Sequence, residues 1–177
     1  IRFDDGSIKD IRDSRKRVAT GRILYAKTAH HAAGDGVIVY VKPRRLADDF
    51  PSTQIILNHA GLPADRSTDG ITGWHKAMQT LAGAPNVAVK ISGLGQKGQP
   101  WTVAANRAIV VTVIDLFGVE RCMFASNFPV DSLCASFATI FGGFESIVAD
   151  FDEPAKDALF AANARRIYAM GERHGQA

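Results

Sequence analysis

Three apolar stretches of the chain end in side chains that can do chemistry. His59 follows the aliphatics of "IILNHAGLP", Lys90 and Ser92 close "VAVKIS", and Ser126 with Asn127 follows "CMFA". A buried strand can end on an imidazole if the ring faces a pocket, and a lysine in a dry cleft suits an anionic substrate or a developing oxyanion. The residue types therefore indicate a polar pocket for a small, anionic molecule.

Two of these residues also have a purely structural interpretation. His59 can cap its strand by hydrogen bonding to a neighbouring loop. Lys90 can form an ion pair in the interior, because an unpaired buried ammonium is costly. The sequence alone leaves both alternatives open.

The elements that must position these side chains are buried parallel strands. Residues 54–58, 87–92 and 122–126 are apolar on both faces, as expected of a parallel sheet covered by helices, and residues 37–41 fit the same template. Because parallel strands end at the same rim, we expect His59, Lys90 and the 126–127 corner to converge there.

The segments between and after the predicted strands have helical patterns. The first predicted helix ends at Gly83 and directs one face inward: Trp74, Ala77, Met78, Leu81 and Ala82. A second runs over residues 102–117, with Gly118 as its C-terminal cap. Residues 131–151 are amphipathic but contain Gly142-Gly143, which predicts two short helices or one broken helix. Residues 152–170 open on an acid-then-proline helix start and direct another set inward: Leu159, Phe160, Ala164, Ile167 and Tyr168.

The spacing of the strands favours an incomplete (β/α)₈ barrel, with an open doubly wound sheet as the alternative. Ile55, Val87 and Met123 are 32 and 36 positions apart, close to the about 31 residues per unit of a (β/α)₈ barrel. The chain is long enough for about five or six units. It opens on Ile1, in what reads as the middle of a structure, so we expect a single domain over residues 1–177 that lacks the first strands.

Composition restricts the classes of function. The chain has 177 residues, 46% hydrophobic and 22% charged, with a net charge of +3 and two cysteines. The basic residues near the start alternate with aspartates and lack interleaved aromatics, which is weak support for nucleic-acid binding. Without a disulfide framework, a run of about 18 apolar residues or a leader, we expect a cytoplasmic protein that binds neither membrane nor nucleic acid.

A glycine-rich loop offers a rival function. Residues 93–98, "GLGQKG", match G-x-G-x-x-G after a predicted strand. Dinucleotide binding also requires a helix that begins within this loop, but Pro100 and Trp101 delay the predicted helix. A nucleotide-binding α/β module is therefore the weaker hypothesis.

Four motifs in order resemble the amidohydrolase-related family of metal-dependent hydrolases, in particular its fuconolactonase-like and pyrone-dicarboxylate lactonase-like group. They are "IILNHAGLP", "WHKAMQTLAGAPNVAVKISGLG", "GVERCMFASNFPVD" and "NARRIY", and they cover roughly residues 50–168. The resemblance implies the C-terminal part of a distorted (β/α)₈ barrel, with rim residues that hydrolyse a lactone or related carbonyl compound. The opening "IRFDDGS" resembles an internal strand of that family, with Arg2 facing the substrate.

The resemblance also implies roles for single residues. His59 would bind a metal or polarise a carbonyl, and Arg2 and Lys90 would contact an anionic substrate, with Ser92 and Ser126 beside them at the rim. Residues 126–129, "SNFP", match a segment that often reads Ser-Asp-Trp-Pro in the family.

Two departures bear on the expected zinc or manganese ion. Asn127 stands where the family has aspartate, and a neutral amide cannot accept a proton from water near neutral pH. Asp131 is the nearest carboxylate that can replace it. In addition, the family's early His-x-His pair is absent from the chain.

We therefore expect a lactone-type hydrolase for a small, anionic substrate. The main alternative is a catalytically incomplete chain. A barrel without its first strands has open sheet edges, so such a chain needs a partner chain or association with itself as a homo-oligomer.

Overall fold

A computed structural model describes residues 24–26 and 43–170 of the chain. The strands are β1 (Leu24–Ala26), β2 (Ile55–Leu57), β3 (Val87–Ile91) and β4 (Cys122–Phe124). The helices are α1 (Pro43–Asp49), α2 (Thr68–Ala82), α3 (Val103–Phe117), α4 (Phe137–Ile147), α5 (Glu153–Asp157) and α6 (Asn163–Ile167). None of the helices in these ranges is both long and apolar enough to cross a membrane. The strand predicted at residues 37–41 lies outside the described residues.

The four strands form one parallel sheet in the order β1-β2-β3-β4. Leu57 pairs with Val89, and Lys90 pairs with Met123, so consecutive strands keep a fixed register. The predicted α/β class with parallel strands is confirmed, although the three predicted strands within the described residues are one or two residues too long. Strand β1 was not among the predicted strands, because a run of three residues is too short to show a strand pattern.

Alternation along the strands separates two apolar faces. The outer face packs under the helices in one large core and contributes the following buried residues: Ile55, Leu57, Val87, Val89, Ile91, Cys122 and Phe124. The inner face presents Ile56, Ala88 and Met123, which pack against Ile167 of α6. Since side chains two positions apart share a face, Lys90 and Ser92 follow Ala88 on the inner face.

Helix α2 ends, and helix α3 both begins and ends, close to the predicted residues. The Ser67 hydroxyl accepts a hydrogen bond from the Gly70 amide at 3.1 Å, and the Thr102 hydroxyl caps α3 in the same way. These caps satisfy backbone donors that a helix start leaves open. One residue of the predicted inward face of α2 is wrong: Ala77 is exposed, whereas Met78 and Leu81 are buried.

The predicted break at Gly142-Gly143 is wrong. Helix α4 runs without interruption from Phe137 to Ile147. The second glycine is required for packing: a Cβ built on Gly143 would lie 2.1 Å from Cζ3 of Trp101. The indole of Trp101 lies against the helix backbone, so this glycine permits a close approach and does not end the helix.

The C-terminal helix is continuous, with a π-helical segment, Ala158–Ala162, between α5 and α6. Asp152 caps its first turn by accepting a hydrogen bond from the Ala155 amide at 2.9 Å. Asn163 is 2% exposed and donates to the carbonyls of Val119 and Cys122 at 2.7 and 2.8 Å. This amide therefore fastens the helix to the start of β4.

We predict that Asn163→Ala lowers the free energy of unfolding by about 1 to 3 kcal/mol, because it leaves two carbonyls without a donor. Urea denaturation measures the change. Arg165→Ala, an exposed position two residues further along the same helix, is the control and should change stability little. Equal stabilities for the two variants would contradict the role assigned to Asn163.

Both cysteines, Cys122 and Cys134, have free thiols. Burial raises the pKa of the Cys122 thiol to about 12, so the thiolate, which is the reactive form, is almost unpopulated at neutral pH. Cys122 is a core residue, as its place in a predicted buried strand implies.

Candidate active site

The chain after β2 makes a left-handed turn at the rim of the sheet. His59, Ala60, Gly61 and Leu62 have φ values of 56°, 49°, 70° and 55°. Three of these residues have side chains, for which this region is unfavourable. Two hydrogen bonds hold the turn: the Leu62 amide donates to the His59 carbonyl at 2.7 Å, and Trp74 Nε1 donates to the Ala60 carbonyl at 2.8 Å. Strain of this kind commonly marks a functional position.

The turn places the half-buried imidazole of His59 beside the end of β3. Its Nδ1 lies 3.0 Å from Oγ of Ser92, which is 1% exposed. The ring also packs on Gly93, where a Cβ would lie 2.6 Å from Nδ1. Ser92 therefore orients the imidazole, and Gly93 leaves the room that it occupies.

Lys90 is half-buried on the inner face, two residues before Ser92. Burial lowers the pKa of its ammonium below the ordinary value of 10.5. Within residues 43–170 no carboxylate lies within 4 Å of Nζ, so the ion pair considered from the sequence is not formed by these residues. A partly desolvated cation without a carboxylate partner in these residues attracts an anionic group.

Asn127 and Asp131 are joined directly. Asn127 adopts a left-handed φ of 58°, and its Nδ2 donates to Oδ1 of Asp131 at 2.8 Å. Asp131 is 5% exposed, and its second oxygen, Oδ2, is buried without a hydrogen-bond partner among the described residues. A buried carboxylate oxygen without a hydrogen bond is unfavourable, so a ligand or water that donates to it would be stabilised there. Ser126 faces its own loop, because its Oγ accepts from the Phe128 amide at 3.2 Å.

Two glycines that were not predicted as site residues lie between His59 and Asp131 at the rim. Gly93 packs against His59, and a Cβ on Gly95 would lie 3.4 Å from Cγ of Asp131 and 2.9 Å from Sγ of Cys134. Both glycines belong to the G-x-G that matched a nucleotide fingerprint. Helix α3 begins only at Val103, so this loop presents no helix N-terminus to a pyrophosphate. Arg2 lies outside the described residues.

Comparison with known proteins decides the family. The sequence profile described as "Amidohydrolase" matches residues 43–170. The chain belongs to the amidohydrolase family. The family identified from four sequence motifs is thereby confirmed.

Individual amidohydrolases show the extent of the likeness. The chain is 50% identical over 123 residues to the uncharacterized protein y4mH of Sinorhizobium fredii, covering 70% of this chain and 41% of that protein. It is 31% identical over 167 residues to an L-fucono-1,5-lactonase of Burkholderia ambifaria, covering 85% of this chain and 56% of the lactonase. The chain thus spans about half the length of these relatives.

A solved amidohydrolase from Burkholderia multivorans, with bound zinc, superposes with a TM-score of 0.59. The two sequences are 26% identical, and the match covers 71% of this chain and 50% of the other. In the described part of this chain, however, His, Cys, Asp and Glu side chains do not gather in a group of three or more that could hold a metal. These residues by themselves therefore do not fit a complete zinc site.

Proposed function

We propose that this amidohydrolase opens a lactone, or a related carbonyl compound of an organic acid or sugar acid, by attack of water. One observation carries the proposal: the imidazole of His59 is held by Ser92, which lies two residues after Lys90, and the ammonium of Lys90 has no carboxylate partner among the described residues. The similarity to an L-fucono-1,5-lactonase over 85% of the chain supports a lactone over other carbonyl compounds.

In this mechanism His59 and Lys90 stabilise the negative charge that develops on the carbonyl oxygen. Donors that are fixed before the reaction do this well, since they need not reorganise as the charge appears. Ser92 holds His59 through Nδ1, so the imidazole has a fixed orientation from which it would donate to the carbonyl oxygen. A substrate carboxylate or hydroxyl would contact Arg2, and it could accept from the Ser126 hydroxyl, whose oxygen accepts from the Phe128 amide but whose hydrogen is not used by that bond.

Asp131 is the proposed acceptor for the proton of the attacking water, and Asn127 positions it. The amide of Asn127 cannot itself take the proton. By donating to Oδ1, it fixes the carboxylate and leaves the unpartnered Oδ2 as the basic atom. Asn127 and Asp131 together would thus do the work of the family's single aspartate.

The proposed mechanism does not depend on a metal ion, but it is compatible with one. His59 is the ligand that the described residues would contribute to zinc or manganese, and the remaining ligands would come from elsewhere. When bound, such an ion would polarise the carbonyl or the attacking water. The steps assigned above to His59, Lys90 and Asp131 use only side chains.

We further propose that the chain is a single domain and corresponds to the C-terminal portion of a (β/α)₈ barrel, with a small anionic molecule as its substrate. Half coverage of the relatives supports this arrangement, as does a parallel sheet of four strands in the described part of the chain. Closure of the sheet then requires another segment or a second chain. Native mass spectrometry tests whether a second chain closes the sheet, because a well-behaved monomer would contradict this.

A cytoplasmic location stays a prediction from the cysteine content.

The test of the function is hydrolysis of a panel of aldonolactones by the protein and by Lys90→Met. We predict that kcat/KM falls about 100-fold in the variant, as on removal of one oxyanion donor. The thermal unfolding temperature should rise, because the variant no longer buries a charge. Lys76→Met, an exposed lysine on α2, is the control and should change neither quantity. Absence of hydrolysis for every lactone, or full activity of Lys90→Met, contradicts the proposal.

The ionisation of Lys90 should make both the stability of the fold and lactone hydrolysis depend on pH. Since the pKa of Lys90 is lowered in the folded chain, the folded state releases this proton at a lower pH than the unfolded state. Above the lowered pKa the stability of the fold therefore rises with pH, up to about 10.5. Lactone hydrolysis should fall over the same interval, since the neutral amine loses its attraction for an anion.

A further inference from the structure

We propose that Asn58 and Lys90 form a recognition pair for a hydroxyl group and the carbonyl or carboxylate oxygen on the adjacent carbon. The pair is defined by these two side chains. The inference rests on the proposed function and narrows it to lactones and acids that carry a hydroxyl at carbon 2.

The register of the sheet brings the two residues to neighbouring positions. Leu57 pairs with Val89 as the last pair of the two strands, and Asn58 and Lys90 are the residues that follow. Asn58 opens a short 3-10 segment directly after β2, two positions beyond Ile56 of the inner face. Neighbouring strands are about 4.8 Å apart, a separation that one small ligand group can span.

Among the described residues, neither side chain has a partner for the relevant atom. Oδ1 of Asn58 is buried and accepts no hydrogen bond from these residues, so Lys90 does not donate to it either. Lys90 has no carboxylate within ion-pair distance in residues 43–170. A buried acceptor without a donor is unfavourable, and a ligand that supplies the donor removes this penalty.

The two atoms have opposite requirements. The amide oxygen of Asn58 can only accept a hydrogen bond, and the ammonium of Lys90 can only donate. A matching ligand must therefore present a donor and an acceptor within a few ångströms of each other. A 2-hydroxy acid or its lactone does so with the hydroxyl and the neighbouring carbonyl oxygen. A pyrone ring without a hydroxyl offers only acceptors and would leave Asn58 unsatisfied.

Binding of two acids tests the pair without any need for hydrolysis. We expect the protein to bind D-gluconate about tenfold more tightly than 2-deoxy-D-gluconate in an NMR titration. In Asn58→Leu the ratio should approach one, because the affinity for gluconate falls while that for the deoxy acid is kept. Gln79→Leu, an exposed amide on α2, should preserve the ratio.

A second variant covers the case in which Asn58→Leu does not fold. Asn58→Asp keeps an acceptor at the same place but adds a negative charge, so both acids should bind more weakly at an unchanged ratio. Equal affinity of the unmodified protein for the two acids, or no binding of either, overturns the pair. Selective binding by a protein that hydrolyses no lactone overturns the proposed function and leaves the pair intact.

Discussion

Replacement of His59 by alanine is expected to lower kcat for lactone hydrolysis by about 100- to 1000-fold, with a small loss of stability. The imidazole is one of two groups assigned to the developing oxyanion, and removal of one such donor has an effect of this size. Stability changes little because alanine leaves the turn hydrogen bond from the Leu62 amide to the carbonyl at position 59 in place. The measurement is steady-state kinetics combined with thermal unfolding.

The chain offers a matched control for this variant. His75 is exposed on α2 and has no part in the proposed mechanism, so His75→Ala removes an imidazole of the same kind and should leave kcat unchanged. Ser92→Ala removes the group that orients Nδ1 and should lower kcat by a smaller factor, since the free ring still reaches the carbonyl part of the time. Unchanged hydrolysis by His59→Ala would remove His59 from the mechanism.

Apolar runs and helix end signals were sufficient to predict the scaffold of the site. Three strands, the ends of α2 and α3, and the rim position of His59 and Lys90 all follow from which residues can be buried in a parallel sheet. Gly83 and Gly118 mark helix ends because no apolar periodicity continues beyond them. Such features depend on local sequence, which is why one sequence reveals them.

The conformations that complete the site were not predictable in this way. A left-handed turn through His59, Ala60 and Leu62 opposes the local preference of all three residues, and it persists because Trp74, fourteen residues beyond Ala60, holds the Ala60 carbonyl. The hydrogen bond from Asn127 to Asp131 likewise depends on a loop conformation that spacing does not specify. Tertiary contacts override local propensity in both places.

The glycines of the loop after β3 illustrate how one pattern can serve two purposes. Read locally, G-x-G indicates room for a phosphate. In the fold, the room is occupied by the protein itself: His59 lies on Gly93, while Asp131 and Cys134 lie on Gly95. The loop is therefore a spacer that sets the distance between the His59 corner and the Asp131 corner.

Two neighbouring glycines in α4 should respond oppositely to the same substitution. Gly143→Ala should lower the free energy of unfolding by about 3 kcal/mol or prevent folding, because the new Cβ would lie 2.1 Å from Cζ3 of Trp101. The indole has little room to retreat: it is 5% exposed and packs edge-on against Phe144 at 5.5 Å. Gly142→Ala meets no atom within 4 Å and should gain about 0.5 to 1 kcal/mol from helix propensity.

Urea denaturation of the two alanine variants compares these effects within one helix, and equal changes of the same sign would contradict the packing of Trp101 on α4. The consequence extends to the site. The Trp101 amide donates to the Cys134 carbonyl at 3.4 Å, which joins the loop after β3 to the loop that carries Asp131. A displaced indole would therefore move the proposed base as well, so any folded Gly143→Ala protein should also lose lactone hydrolysis while Gly142→Ala retains it.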